Sequence, residues 1–267
     1  PLTVTPLAPI QIGPIELGSR LAMALVKTDL CERDGLVCAR HVAYSRRRDE
    51  GGAGMIFVEP LFVDSRGREH PRQLAAHRDV AIGDLRRVVN AIQENGSLAF
   101  AHLNHAGRAA NPKVIGGVPE APSAVTCPTS GATPEPMSTE RIGIVLEAYR
   151  NAARRAREAG FDGVEIQLGL GYLPAQFLSS RTNLRNDDYG PEGENRWRFI
   201  DEMVAAVGGA IGDKMALTAR LSADEKVDGG LGIDDAVELA KRLELWGVHA
   251  VHVVTGSACD SPPWYYQ

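Results

Sequence analysis

The sequence predicts an α/β fold built on a parallel sheet. Short, nearly continuous apolar runs alternate with longer amphipathic stretches along the whole chain, and such runs suit parallel strands buried on both faces. Two connections after these runs are long and rich in Gly, Pro or Arg, the kind of loop that builds sites at the carboxyl edge of a parallel sheet. The candidate strands are residues 20–26, 54–61, 98–103, 163–168, 215–221 and 250–255. The clearest helix opens at Ser138, a good N-cap, with Glu140 in its first turn. Ile142, Val145, Leu146, Tyr149 and Ala153 then fall on one helical face, and Gly160 is a natural stop. Further helices are expected over residues 79–95, 194–211 and 234–246, closed by Gly96, Gly212 and Gly247, with a weaker one over 36–50 before Gly51 and Gly52. The long connections cover residues 107–137 and 169–193. No internal repeat or composition break divides the chain, so residues 1–267 read as one domain.

Composition excludes several function classes. The net charge is -5, with 34 acidic against 29 basic residues, so no nucleic-acid partner is expected. No apolar run approaches the ~18–20 residues of a membrane helix, and the first residues do not form a signal peptide. Cys31, Cys38, Cys127 and Cys259 are scattered and form no C-x-x-C pair. Neither an iron–sulfur cluster, nor a zinc or other metal site, nor a disulfide framework is expected, and a reducing cytoplasm is the expected setting. No G-x-G-x-x-G follows the first strand; Gly169 and Gly171 form only an isolated G-x-G. Pattern alone leaves a doubly wound open sheet and a barrel both standing.

One segment goes further. Residues 160–199, GFDGVEIQLGLGYLPAQFLSSRTNLRNDDYGPEGENRWRF, resemble the signature of the FMN-dependent barrels related to old yellow enzyme, 2,4-dienoyl-CoA reductase and trimethylamine dehydrogenase. Tyr172-Leu173, Gln176-Phe177-Leu178, Asn183, Arg185, Asp187, Tyr189-Gly190 and Glu194-Asn195-Arg196 all keep that family's register. PIQIGPIELGSR over residues 9–20, HLNHAGR over 102–108 and TARLS over 218–222 are similar to its first-, third- and fifth-strand motifs, in order. The resemblance implies a (β/α)8 barrel, of which about six β/α units are present. It also implies FMN as cofactor, NAD(P)H as electron donor and a small-molecule substrate.

The site residues are carried over position by position. Arg220 matches the arginine facing the pyrimidine edge of FMN, where it stabilises negative charge on the reduced flavin. Tyr172 matches the tyrosine that protonates the substrate carbon opposite the hydride. His102 stands where the family usually has a glutamine bonding the flavin ring. Ala24, Leu25 and Val26 end the first strand and Pro60 ends the second, where the family approaches the flavin; for these four, plain core packing is the competing reading. Lys27, Gln167 and Leu170 fall at substrate-contact positions. Asp260 lies near a second acid/base residue of the relatives, against the alternative of a solvated loop aspartate. Trp264, Tyr265 and Tyr266 are candidate pocket-mouth residues, against the alternative that they are aromatic residues left unpaired at the end of the chain. His105 and Arg108 match the family's H-x-G-R and are expected to shape the loop.

Two departures matter. Many old yellow enzymes place His-x-x-His or His-x-x-Asn at Gln167 and Leu170, and Leu170 has no donor. Dienoyl-CoA reductases also lack that pair and keep the tyrosine, which favours an ene-reductase of their type acting on an enoyl or dienoyl thioester or an enone. The alternatives are a flavin-dependent amine dehydrogenase, and a barrel that binds no flavin and turns nothing over. The second departure is length. Only six strands are counted, so truncation before the last two strands and their FMN phosphate site is expected, unless another chain, such as a homo-oligomer partner, completes the barrel. A 4Fe–4S cluster and FAD enter only with a longer native chain.

Overall fold

The computed structural model describes residues 5–260. Trp264, Tyr265 and Tyr266 lie outside the described residues. An antiparallel ribbon, β1 (Ile10–Ile12) and β2 (Ile15–Leu17), comes first. Ile12 and Ile15 pack against Phe57, Phe100 and Ala216 and so plug the amino-terminal end of the main sheet. Then follow β3 (Ala22–Met23), α1 (Ala39–Asp49), β4 (Met55–Phe57), β5 (Leu61–Phe62), α2 (Ala81–Gln93) and β6 (Leu98–Asn104). A long excursion carries α3 (Pro112–Ile115) and the short pair β7 (Glu120–Ala121) and β8 (Glu135–Pro136) before α4 (Thr139–Ala159). The chain continues through β9 (Gly163–Gln167), α5 (Leu173–Leu178), α6 (Asn195–Ile211), β10 (Ala216–Asp224), α7 (Ile233–Leu245) and β11 (Ala250–Thr255).

The main sheet runs β3-β4-β6-β9-β10-β11, with every neighbouring pair parallel, and β5 extends β4 along β6. Six successive parallel strands with their helices on the outside make this sheet part of a (β/α)8 barrel. β9 is buried along its whole length, as a strand with a helix layer behind it and a filled interior before it must be. At the far edge, β11 has no further strand beside it among the described residues, and its outward Val251 and Val253 are 37% and 60% exposed. Gly163 shows how tightly the interior is filled: a Cβ there would stand 2.2 Å from Phe100 Cε1, so only glycine fits.

The helix boundaries follow the capping chemistry closely. Ser138 Oγ accepts the Arg141 N–H at 3.1 Å, and Gly160 ends α4 at φ 96°. The expected start at Asp79 is corrected to Ala81, because the Asp79 carboxylate is taken by Arg154 and Arg155 of α4 instead of capping α2. The expected strand over 20–26 shrinks to Ala22–Met23, the two residues that find partners in Met55 and Ile56. The expected strand over 54–61 splits into β4 and β5, since Pro60 has no N–H to give the ladder.

The excursion between β6 and α4 is pinned by a charge network centred on the buried Glu120. Arg141 donates to Glu120 through Nε at 2.9 Å and also reaches Asp64 at 2.7 Å. Arg66 Nη1 stands 3.1 Å and His105 Nε2 3.5 Å from Glu120. Burial alone would raise the Glu120 carboxyl, but His105 and Arg141 outweigh it and hold it at about 2, against an ordinary 4.5. The folded value is depressed, so this network stabilises the fold above pH 4.5 and is lost as pH falls towards about 2. Glu120→Gln is expected to cost roughly 3–5 kcal/mol at neutral pH and to flatten the acid limb of stability, as read by urea unfolding across pH. Parallel pH curves for wild type and variant would rule this out.

Candidate active site

The carboxyl end of the sheet carries a floor of polar groups facing inward. Strand register puts His102 of β6 beside Glu165 of β9, and Gln167 of β9 beside Arg220 of β10 and then His252 of β11. Glu165 is fully buried and takes His102 Nδ1 at 2.7 Å on one oxygen and His252 Nδ1 at 3.0 Å on the other. Burial would raise its carboxyl, but the two imidazole bonds outweigh that and hold it below the usual carboxylate range. Burial lowers His102 from its ordinary value, more than Glu165 can restore, so the ring is neutral at neutral pH. A neutral ring that gives its Nδ1 proton to Glu165 turns a lone pair outward on Nε2. That Nε2 and Arg220 Nε are both buried without a hydrogen-bond partner. Burial works against the Arg220 charge and Glu165 supports it.

Over this floor stands a second cluster, built from three loops. Tyr172 caps α5 after a turn in which Leu170 and Gly171 both have positive φ, 58° and 68°. The Leu170 N–H donates to Ser222 Oγ at 2.8 Å and its carbonyl accepts the Ala258 N–H at 2.7 Å. Those two bonds hold a conformation that a leucine disfavours. The Tyr172 hydroxyl accepts from Lys27 Nζ at 2.9 Å and donates to Glu69 at 3.1 Å; Lys27 and Glu69 are themselves paired at 2.6 Å. Burial, reinforced by Glu69, raises the phenol above its ordinary value while Lys27 pulls the other way, so it keeps its proton at working pH. A cavity of about 550 Å³ opens beside Glu69, bounded by Asn111, Lys113, Thr129 and Ala258.

The structure therefore gathers His102, Gln167 and Arg220 on the floor and Lys27, Leu170 and Tyr172 on the rim. Gln167 accepts the Gly169 N–H at 3.1 Å, which commits its carbonyl to the turn. The Leu170 side chain packs with Tyr172, Ala106 and Ala110 and gives the rim an apolar wall. Pro60 is buried, and its carbonyl accepts from Gln73 at 3.2 Å. Ala24 borders a cavity of about 410 Å³ on the inner side of the sheet, Leu25 packs on the Phe57–Phe100 cluster, and Val26 is 53% exposed, clear of the floor. Asp260 is not a solvated loop residue: Arg108 and Arg181 both pair with it, Arg181 at 3.0 Å, and Ser257 donates to it at 3.1 Å. His105 and Arg108 shape the loop, as expected, through Gly107, Thr126 and Asp260.

One expectation is corrected. Cys127 and Cys259 form a disulfide across 132 residues of sequence, joining the long excursion to the loop after β11. Nothing in the spacing of four scattered cysteines could show that these two loops meet. Sequence reasoning also missed Glu69, Glu165 and His252. Glu165 did leave a signal, a charge inside a buried strand that must be paired.

The curled parallel sheet with a polar floor at its carboxyl edge has the architecture of the old yellow enzyme class of barrels, and the chain spans under half the length of some of the relatives it matches. The chain belongs to the NADH:flavin oxidoreductase / NADH oxidase family, whose profile matches residues 7–261. It is 36% identical over 248 residues to an NADH oxidase of Thermoanaerobacter brockii, covering 92% of this chain and 38% of that protein. It is 35% identical over 250 residues to an NADPH dehydrogenase of Bacillus subtilis, covering 93% of this chain and 72% of that protein. It superposes on a 2-naphthoyl-CoA reductase bound to 2-naphthoyl-CoA with a TM-score of 0.90 at 27% identity, over 94% of this chain and 40% of that one. No helix among the described residues is long and apolar enough to cross a membrane.

Two outcomes check this geometry. Thiol titration of the denatured, unreduced chain should find two free thiols, Cys31 and Cys38, rising to four after reduction; four before reduction would exclude the disulfide. Leu170→Asn should stabilise the fold by a few tenths of a kcal/mol to about 1 kcal/mol, because asparagine tolerates positive φ. A clear loss of stability in chemical denaturation would mean that the apolar wall, not the backbone, dominates there.

Proposed function

We propose that this floor binds the ring system of FMN and that the chain forms the catalytic barrel of an FMN-dependent NAD(P)H oxidoreductase. In our reading it reduces an activated C=C in the manner of a 2,4-dienoyl-CoA reductase. The observation that carries this is the pair of unpartnered buried atoms, His102 Nε2 on β6 and Arg220 Nε on β10, the two strands that flank β9. One is an acceptor and the other a donor, which suits the pyrimidine edge of an isoalloxazine, with its N–H and carbonyl oxygens. A buried acceptor and donor without partners each carry a penalty of about 1–3 kcal/mol, which such a ligand relieves. Bound there, the flavin supplies hydride chemistry, with electrons from NAD(P)H.

The protein's own part follows from charge and protonation. Arg220 offers positive charge where negative charge develops on reduction, and the nearby Glu165 carboxylate supports that charge. His102 is held neutral and in one tautomer by the same carboxylate. Tyr172 holds its proton at the mouth of the site as the acid for the substrate carbon. Lys27 and Glu69 fix the direction of its hydroxyl, and Leu170 keeps water off it. Of the polar side chains at the substrate-contact positions, Lys27 is engaged by Glu69 and Tyr172 and the Gln167 carbonyl by Gly169, so a thioester or enone would be held more by shape than by a pair of donors. Asp260, held between two guanidinium groups, is a loop anchor in this reading and not a second acid. The likeness to an enzyme solved with an aryl-CoA thioester supports a thioester substrate.

The test is the visible spectrum of the protein mixed with FMN. A flavin spectrum that bleaches with NADPH and returns on adding an enoyl thioester supports the proposal. Bleaching by secondary or tertiary amines without NADPH would replace it with the amine dehydrogenase reading, and failure to bind FMN would favour the non-catalytic one. Tyr172→Phe should slow thioester reduction on the order of 10²–10⁴-fold and leave flavin reduction by NADPH unchanged. Equal loss in both half-reactions would remove Tyr172 from the acid role.

A further inference from the structure

Away from the floor, three side chains from three separate segments meet under the loop that follows β3. Cys31 lies in that loop, His41 in the first turn of α1 and Glu59 just past β4. Cys31 is 0% exposed, and His41 and Glu59 are each 2% exposed. Cys31 Sγ stands 3.5 Å from His41 Nδ1 and 3.7 Å from Glu59 Oε1, and His41 Nε2 is 3.4 Å from Glu59 Oε1. Thr28 Oγ1 donates to the same Glu59 oxygen at 2.6 Å. One ligand atom from each of Cys31, His41 and Glu59 lies within 4.8 Å of the other two. A tetrahedral metal with bonds of about 2.3 Å to sulfur and 2.0–2.2 Å to nitrogen and oxygen separates its ligand atoms by roughly 3.3–3.7 Å. With one imidazole nitrogen as ligand, two edges of the triangle are on that scale and the third lies within 4.8 Å, so a small side-chain rotation completes the set.

Two further observations point to a missing occupant. Glu59 Oε2 is buried and has no partner. On the side of Glu59 and His41 away from Cys31, a cavity of about 10 Å³ that Thr28 also lines has room for about one water-sized species. All three groups sit away from water, where an uncompensated charge is disfavoured. A divalent cation reverses this, since a thiolate and a carboxylate together balance its charge in a dry site.

We propose that Cys31, His41 and Glu59 form a binding site for one Zn(II) ion, with a water or the Thr28 hydroxyl in the fourth position. The mixed sulfur, nitrogen and oxygen set selects zinc over magnesium or calcium. Binding replaces the thiol proton, which leaves to solvent. The ion ties the loop after β3 to α1 and to the end of β4. The site is independent of flavin binding and of the reaction proposed above.

The experiment is a titration of the metal-free, folded chain with Co(II), followed by displacement with Zn(II). One Co(II) per chain, with thiolate-to-metal absorption in the near ultraviolet that zinc abolishes, is the expected result. Cys31→Ser should remove that band, Cys38→Ser should keep it, and His41→Gln should weaken zinc affinity on the order of 100-fold. Absence of the band in wild type, or its persistence in Cys31→Ser, overturns the proposal. Should Cys31→Ser fail to fold, X-ray absorption of the zinc-loaded wild-type chain decides. One sulfur at about 2.3 Å with nitrogen and oxygen at about 2.0–2.2 Å upholds the site, and a shell without sulfur refutes it.

Discussion

The carboxyl edge of this sheet depends on one buried carboxylate. Glu165 has no access to water, and a charge in that position survives only with donors on every side. His102 reaches it from the neighbouring strand β6, and His252 from β11, two strands away in the other direction. A flat sheet would hold β9 and β11 side chains apart, so the bond to His252 is itself a consequence of the curl. The same carboxylate fixes the His102 tautomer and supports the Arg220 charge. One ionised group thus sets the polarity of the whole floor, and the two atoms it leaves unpartnered are the ones a ligand would use.

Around that floor the loops are held by guanidinium groups rather than by secondary structure. Arg141 and Arg66 gather around Glu120, and Arg108 and Arg181 around Asp260. Arg185 anchors Asp187 and the carbonyls of Pro122 and Met137. Planar, multi-donor cations suit this task because each satisfies several acceptors in an otherwise unpaired backbone. The disulfide between Cys127 and Cys259 joins two of the loops held in this way. The rim is therefore stiff where it carries Tyr172. Stiffness also explains how Leu170 tolerates a positive φ: the bonds to Ser222 and Ala258 over-determine its backbone.

Much of the fold was legible in the residues. Apolar runs located all six barrel strands, and cap residues such as Ser138 and Gly160 marked helix ends, because those rules act within a turn or along one strand. Strand length was less legible: β3 and β4 are shorter than their apolar runs, since a ladder extends only where a partner and an N–H exist. At the site, Tyr172 stood out by its place in a long motif, Arg220 by the short TARLS stretch on the fifth strand, and His102 by its place on the third strand. Glu69 did not, because its partner Tyr172 lies 103 residues away and a loop glutamate carries no periodic signal.

The sequence by itself determined the strand–helix alternation, the membership of a barrel class and the side of the sheet on which polar residues gather. Each of these rests on short-range periodicity, on turn chemistry or on a motif read in one stretch. Only the tertiary structure decided which groups neutralise one another: His252 with Glu165 across 87 residues, Cys127 with Cys259 across 132, and Cys31 with His41 and Glu59. The physical reason is that these pairings depend on how far the sheet curls and on where long loops fold back over it. Neither quantity is encoded in the spacing of the residues that finally touch.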